Sequence, residues 1–109
     1  MNISITGRHI EITETMSQLV REKVSRLERF YDRIEDVQVV TEHSAQQFRT
    51  DIIVRVDHKR TFVAQVEAEK FNESFDLALS KMERQLHEHK EKYRNRKHQS
   101  GIWPGVREK

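Results

Sequence analysis

The sequence predicts an α+β fold, a two-layer β-α-β-β-β-α arrangement with two helices packed on one face of a four-stranded sheet. Three observations support this prediction. Two segments carry apolar residues at helical spacing, four segments alternate between apolar and polar residues, and the outward strand positions are mostly polar. The 109 residues, 35% of them hydrophobic, are enough for one domain with a thin core.

The first two elements are a short strand and a helix. Residues 2–6 alternate between polar and apolar, and Gly7 is expected to end this strand. Thr13 suits the N-cap of the helix, and Glu14 in the first turn interacts favourably with the helix dipole. The apolar stripe of this helix consists of Met16, Leu19, Val20, Val24, Leu27, Phe30 and Tyr31.

Three further strands are predicted at residues 37–43, 49–56 and 61–68. The short polar link at 57–60 joins the last two as an antiparallel hairpin, although it lacks the glycine typical of such turns. The inward-facing residues are expected to be Val37, Val39, Thr41, Ile52, Val54, Val56, Phe62, Ala64, Val66 and Ala68.

The last regular element is a long helix, with Asn72 or Ser74 as its expected N-cap. It is predicted to continue into the basic region after His89. The domain is expected to span residues 1–97, and residues 98–109, which have no periodicity, are expected to form a flexible C-terminal tail. The buried stripe of the helix consists of Phe75, Ala78, Leu79, Met82 and Leu86.

The element order and the charge distribution are both compatible with RNA binding. The last five elements follow the α-β-β-β-α order of double-stranded-RNA-binding domains, which contact RNA mainly by shape and backbone. Residues 1–80 carry 11 Lys/Arg against 14 Asp/Glu, a balance of −3, whereas residues 81–109 carry nine against four, a balance of +5. A basic segment on an acidic body indicates contact with a polyanion. A solvated helix face with internal ion pairs is the alternative.

Composition and motifs argue against several other classes. The chain has no cysteine, no apolar run of about 20 residues and no signal-peptide pattern, so we expect a cytoplasmic protein without membrane contact. Glu83 and His87 are four residues apart on a helix, so both could bind the same metal ion, but the sequence spacing gives no third ligand. No metal or cofactor is therefore expected. No nucleophile elbow, phosphate-binding loop or paired-histidine motif is present, which argues against an enzyme and a small-molecule substrate.

Separated segments of the chain are more specific than its composition. They are Asn-Ile-Ser-Ile-Thr-Gly at 2–7 with Glu-Ile-Thr-Glu at 11–14, the run from Lys23 to Ile34, and Lys-Met-Glu-Arg-Gln-Leu at 81–86 with His-Lys-Glu-Lys at 89–92. Together these segments resemble the ribosome hibernation factor family. That family includes the short hibernation promoting factor and ribosome-associated inhibitor A, and is also called the sigma-54 modulation protein family.

The resemblance covers residues 2–92 and implies a ribosome-binding protein that is monomeric off the ribosome. Such a protein would bind the small subunit between head and body, block the A and P sites to messenger and transfer RNA, and inhibit translation in stationary phase or stress. The mechanism would be occupation of space, without catalysis. The implied ribosomal-RNA contacts are Lys23, Arg26, Arg29, Lys81, Arg84, Gln85, Lys90 and Lys92.

The sequence also allows other interpretations of its function. Glu88 stands where several family members have a basic residue, and the tail leaves open whether ribosome dimers are promoted or opposed. A protein-interaction module that modulates a sigma factor is an alternative from another class, and it would use the exposed sheet face or Trp103. A general binder of double-stranded RNA is a third.

Overall fold

The computed structural model confirms the predicted fold class. It describes residues 1–29, 31, 33–57 and 60–99, with side chains through Lys90. Each strand is longer than alternation alone predicts. The regular elements are β1 (Asn2–Arg8), α1 (Glu14–Val24), a 3₁₀ helix (Ser25–Arg29), β2 (Ile34–Ser44), β3 (Gln47–Val56), β4 (Arg60–Ala68) and α2 (Phe71–Gln99).

The four strands form one mixed sheet in the order β1-β2-β3-β4. β1 is parallel to β2, which requires a crossover connection, and α1 lies in that connection. The other neighbouring strands are antiparallel. The register aligns Ile5 with Val39, Val39 with Ile52, and Ile52 with Ala64, so the inward residues of all four strands form one continuous row under the helices.

β1 continues through Gly7 to Arg8, so the prediction that Gly7 ends the strand is wrong. A Cβ at this position would lie 2.5 Å from the carbonyl oxygen of Ile10 and 3.0 Å from the side chain of Ile12. The loop after β1 folds back closely over the strand, and glycine is needed because no side chain fits in the gap.

Thr13 caps α1 as predicted. Its Oγ1 accepts a hydrogen bond from the backbone N–H of Met16 at 3.1 Å, and its backbone is extended. The α-helix ends at Val24, and the chain continues as the 3₁₀ helix, so the predicted apolar stripe spans two helix types. Val20, Val24 and Leu27 are fully buried.

α2 begins at Phe71, so the prediction of Asn72 or Ser74 as N-cap is wrong. Both residues lie inside the first turn, and Lys70 precedes it. The carbonyl of Lys70 accepts the backbone N–H of Ser74 at 3.0 Å, which closes the first helical turn. Ser74 is fully buried instead of exposed at a helix end, because its hydroxyl has partners in the sheet.

A chain of hydroxyl groups joins α2 to the middle of the sheet. Ser74 Oγ donates to the carbonyl oxygen of Phe71 at 3.0 Å and lies 2.7 Å from Thr50 Oγ1. Thr50 Oγ1 lies 3.2 Å from Thr41 Oγ1 on the neighbouring strand. All three hydroxyl-bearing residues are fully buried, and each finds a partner, as buried polar groups require.

The core lies between the helices and the inward face of the sheet. All five apolar residues predicted for the α2 stripe are buried. The inward residues of β2 and β3 are buried. In β4, which is an edge strand, Ala64 is buried, and Phe62, Val66 and Ala68 are partly buried. Both helices therefore cover the same sheet face, as predicted.

Two further predictions concern the C-terminal part of the chain. α2 continues to Gln99, as expected for a helix that passes His89. Residues 100–109, which include Trp103 and most of the predicted tail, lie outside the described residues. Within the described ranges, no helix has the length and apolar character needed to cross a membrane.

Candidate nucleic-acid interface

The molecule has two broad surfaces. One is the open face of the sheet, and the other is the outer surface of the helical layer, by which we mean α1, the 3₁₀ helix and α2. Both surfaces carry arginine, so basic composition alone does not distinguish them. The two surfaces differ in how their cations are paired.

On the open sheet face, Arg49 and Arg55 are neutralised by neighbouring carboxylates, whereas Arg8 at the end of β1 has no carboxylate within 4.0 Å among the described residues. Arg49 Nη2 lies 2.9 Å from Glu42 Oε1, and Arg49 Nε lies 3.7 Å from Asp51 Oδ1. Arg55 Nη2 lies 2.7 Å from Asp36 Oδ2. Because strand register places opposite charges side by side, this face presents little net positive charge to a phosphate.

The helical layer holds four basic residues of a different kind. In the part of the chain that the structure describes, no carboxylate lies within 4.0 Å of their charged atoms, and they donate to no backbone carbonyl, whereas Arg21 and Lys81 do. Three are exposed arginines, whose forked donors match phosphate oxygens, and one is a half-buried lysine. We call them the helix cations: Arg26, Arg29, Arg84 and Lys90.

Lys23, another predicted contact, is held in an ion pair between the helices. Its Nζ lies 2.7 Å from Asp76 Oδ1, with side-chain exposures of 26% and 50%. An exposed pair of this kind stabilises the fold by about 0–1 kcal/mol. Asp76 therefore links α2 to α1 and holds the charged end of Lys23 within the fold. Sequence reasoning missed Asp76, because the two residues are 53 positions apart.

Lys81 and Gln85, also predicted contacts, reach the backbone of β4. Gln85 Nε2 donates to the carbonyl oxygen of Val63 at 2.9 Å, and Lys81 Nζ donates to that of Gln65 at 3.5 Å. β4 is an edge strand, so these carbonyls lack a neighbouring strand. The two α2 side chains cover this edge.

The predicted contact set is therefore spread around α2. At 100° per residue, Arg84 lies opposite the buried stripe, Lys81 and Gln85 lie toward β4, and Lys90 lies on the other flank. Lys92 is in the helix, but its side chain is outside the described residues. The two helix cations of α2 therefore lie on different sides of the helix, while Lys23, Lys81 and Gln85 have contacts within the fold.

Two histidines of α2, His87 and His89, have described side chains. No group of three or more histidine and carboxylate side chains within the described residues could hold a metal ion. The ring of His89 packs at the edge of the core, with its centroid 5.5 Å from that of Tyr31 and 5.2 Å from that of Phe62. Tyr31 in turn donates its hydroxyl to Asp57 Oδ2 at 3.0 Å, which ties the region after the 3₁₀ helix to the end of β3.

Fold and surface together define a class of protein: a small two-layer α+β domain with a cationic helical layer over a mixed sheet. Comparison with known proteins gives the family. The chain belongs to the Sigma 54 modulation protein / S30EA ribosomal protein family, whose profile matches residues 3–94. This confirms the resemblance drawn from the sequence.

Curated relatives and solved structures agree with this assignment. The ribosome hibernation promoting factor of Azotobacter vinelandii is 36% identical over 92 residues, which cover 84% of this chain and 85% of the relative. That of Escherichia coli K12 is 33% identical, covering 84% and 96%. A ribosomal subunit interface protein from Coxiella burnetii superimposes with a TM-score of 0.77 at 26% identity, covering 83% and 98%. The N-terminal domain of Thermus thermophilus Protein Y gives 0.74 at 27%, covering 82% and 99%.

Proposed function

We propose that this protein is a cytoplasmic ribosome hibernation factor. It binds the small ribosomal subunit in the channel of the A and P sites, blocks messenger and transfer RNA, and inhibits translation in stationary phase or stress. Its family and the names of its relatives support a role on the ribosome. The A/P-site location and the mechanism are what the family resemblance implies, and the surface of the chain supports the choice of the binding face.

The observation that carries the proposal is the different pairing of cations on the two surfaces. Arg49 and Arg55 on the sheet are already bound to carboxylates, whereas the helix cations have no carboxylate within 4.0 Å in the described part of the chain. An unpaired arginine can bind a phosphate without first breaking an ion pair. Each such contact also releases counterions from RNA, which favours binding. The helical layer is therefore the RNA-binding surface.

Inhibition follows from occupation of space. The helices are held at fixed spacing by the shared core and by the pair of Lys23 with Asp76, so the cations project from a preformed surface. Little conformational freedom is lost on binding, which favours affinity. A rigid domain held in the decoding channel excludes the RNA ligands of translation, and this exclusion requires no chemical step.

The test compares two triple variants that each remove three arginine charges. In the first, Arg26, Arg29 and Arg84 are changed to Gln, which removes three helix cations. In the matched control, Arg8, Arg49 and Arg55 on the sheet are changed to Gln. We expect the helical variant to lose co-sedimentation with purified small subunits and the sheet variant to retain it.

A competition assay tests the location of binding. The unmodified protein should displace transfer RNA from small subunits at moderate ionic strength, and the helical triple variant should not. Equal loss of binding in both triple variants would contradict the assignment of the helical layer. Binding of the unmodified protein without displacement of transfer RNA would place it outside the A/P channel.

A further inference from the structure

Two aromatic rings stack at the tip of the hairpin formed by β2 and β3. His43 and Phe48 are paired across the strands, their ring centroids are 4.2 Å apart, and their planes differ by 6°. His43 is exposed and Phe48 is half-buried. The imidazole therefore lies flat on the phenyl ring, which fixes its plane and leaves its outer side open to solvent.

The turn that carries this ring pair is tight. Ser44 pairs with Gln47, and the two residues between them, Ala45 and Gln46, have φ angles of 51° and 64°. Two consecutive positive φ angles are the geometry of a type I′ hairpin turn, usually formed by Asn and Gly. Here the chain adopts it without glycine, at some cost in backbone strain. The rings are thus presented on a short, well-defined tip.

Orientation and charge both suit an RNA ligand. His43 and Phe48 follow the same strand parity as the buried Thr41 and Thr50, so the ring pair lies on the helical side of the sheet. Residues 43–48 contain no Asp or Glu. The adjacent carboxylate, Glu42, is on the opposite face and is held by Arg49 at 2.9 Å. The turn and the two ring-bearing residues therefore contribute no carboxylate that would repel a phosphate accompanying the base.

We propose that the His43–Phe48 ring pair is a stacking site for an unpaired RNA base. This inference rests on the proposed function, because it adds a base contact to the phosphate contacts of the helical layer. Every base has a flat π-face, so stacking needs no particular sequence. Single-stranded nucleotides of folded RNA are commonly bound in this way, on aromatic and histidine rings. The exposed side chain of Gln46, in the turn next to the ring pair, carries an amide that can hydrogen-bond a base edge.

The experiment measures the affinity of the full chain for small subunits with three substitutions of one residue. His43→Ala removes the platform, His43→Tyr keeps a ring, and His43→Lys provides a cation without a ring. We expect His43→Ala and His43→Lys to weaken binding about 5- to 100-fold, as loss of one base stack predicts, and His43→Tyr to remain within about 3-fold. Chemical probing should show one unpaired nucleotide that loses protection in His43→Ala and His43→Lys and keeps it in His43→Tyr.

A second measurement separates this inference from the proposed function. Short single-stranded RNA containing 2-aminopurine should show fluorescence quenching with the unmodified chain and with His43→Tyr, but not with His43→Ala. If subunits bind the Ala variant as tightly as the unmodified chain and the footprint is unchanged, the stacking site is wrong while the proposed function stands. If the unmodified chain fails to bind subunits, the proposed function is wrong, and the fluorescence experiment alone tests the stacking site. Quenching that requires a ring at position 43 supports the stacking site, and a lack of quenching contradicts it. A thermal melt of each variant verifies folding.

Discussion

At the residue scale, small side chains fix how the layers meet. The Ser74 hydroxyl connects the first turn of α2 to Thr50, and Thr50 connects to Thr41, so one buried chain of hydroxyls spans a helix and two strands. Gly7, which is in register with Thr41 at the β1 edge of the same face, has a comparable role, because it lets the following loop approach β1. Each position tolerates only a narrow range of shapes and polarities.

Ser74→Ala should lower the free energy of unfolding by about 1–3 kcal/mol, because Thr50 loses the nearer of its two buried hydroxyl partners and keeps only Thr41. Urea unfolding followed by circular dichroism measures this change. Ser80→Ala, at an exposed position of the same helix, is the matched control and should change stability by less than about 0.5 kcal/mol. Equal effects of the two substitutions would show that the hydroxyl chain is not stabilising.

Gly7→Ala should also destabilise the protein, by about 1–3 kcal/mol, because the new methyl group would lie 2.5 Å from the backbone oxygen of Ile10. The melting temperature reports the loss. Ser4→Ala, on the exposed side of the same strand, adds no contact and serves as the control. A melting temperature unchanged in Gly7→Ala would mean that the loop moves away without cost.

At the element scale, regular periodicity was enough to predict the helices and strands, since one face of each element is buried. Element ends were less predictable. Ser74 looks like an N-cap because serine is common there, yet its partner Thr50 lies 24 positions away, beyond any local pattern. The ring stack of His43 on Phe48 was missed for a related reason, because it depends on strand register.

Asp76→Asn tests the contact between α1 and α2. It removes the carboxylate that holds Lys23 at 2.7 Å, so stability should fall by less than about 1 kcal/mol. RNA affinity should rise instead, since Lys23 becomes available to phosphate. Titration of small subunits with labelled protein measures this gain. Asp51→Asn, on the sheet face, is the control expected to leave affinity unchanged, and weaker binding by Asp76→Asn would contradict the competition between Asp76 and phosphate.

At the scale of the whole molecule, the decisive property is which face carries unpaired charge. The sequence predicted a basic second helix, but Arg84 and Arg55 look alike in a sequence. They differ only after folding, when Arg55 meets Asp36 across the strands. The family resemblance named both helices as RNA-binding, and the fold shows that some of those residues have structural contacts as well.

Salt dependence tests the whole surface at once. The logarithm of the binding constant should fall linearly with the logarithm of salt concentration, because bound cations replace counterions on RNA. Changing Arg84 to Gln should reduce the magnitude of the slope by about 0.7–0.9, the value for one phosphate contact. Arg55→Gln should leave it unchanged. Filter binding between about 50 and 200 mM salt measures the slopes, and identical changes for both variants would refute the difference between the two surfaces.

The cover that Lys81 and Gln85 provide over β4 has a consequence for self-association. A foreign strand that approached this border would have to displace two side chains before it could form its first backbone bonds. Addition of a strand from another copy at β4 is therefore disfavoured. Substitutions of Lys81 or Gln85 would expose the backbone of the β4 edge. Aggregation of such variants would then result from the exposed edge strand and would not measure ribosome affinity.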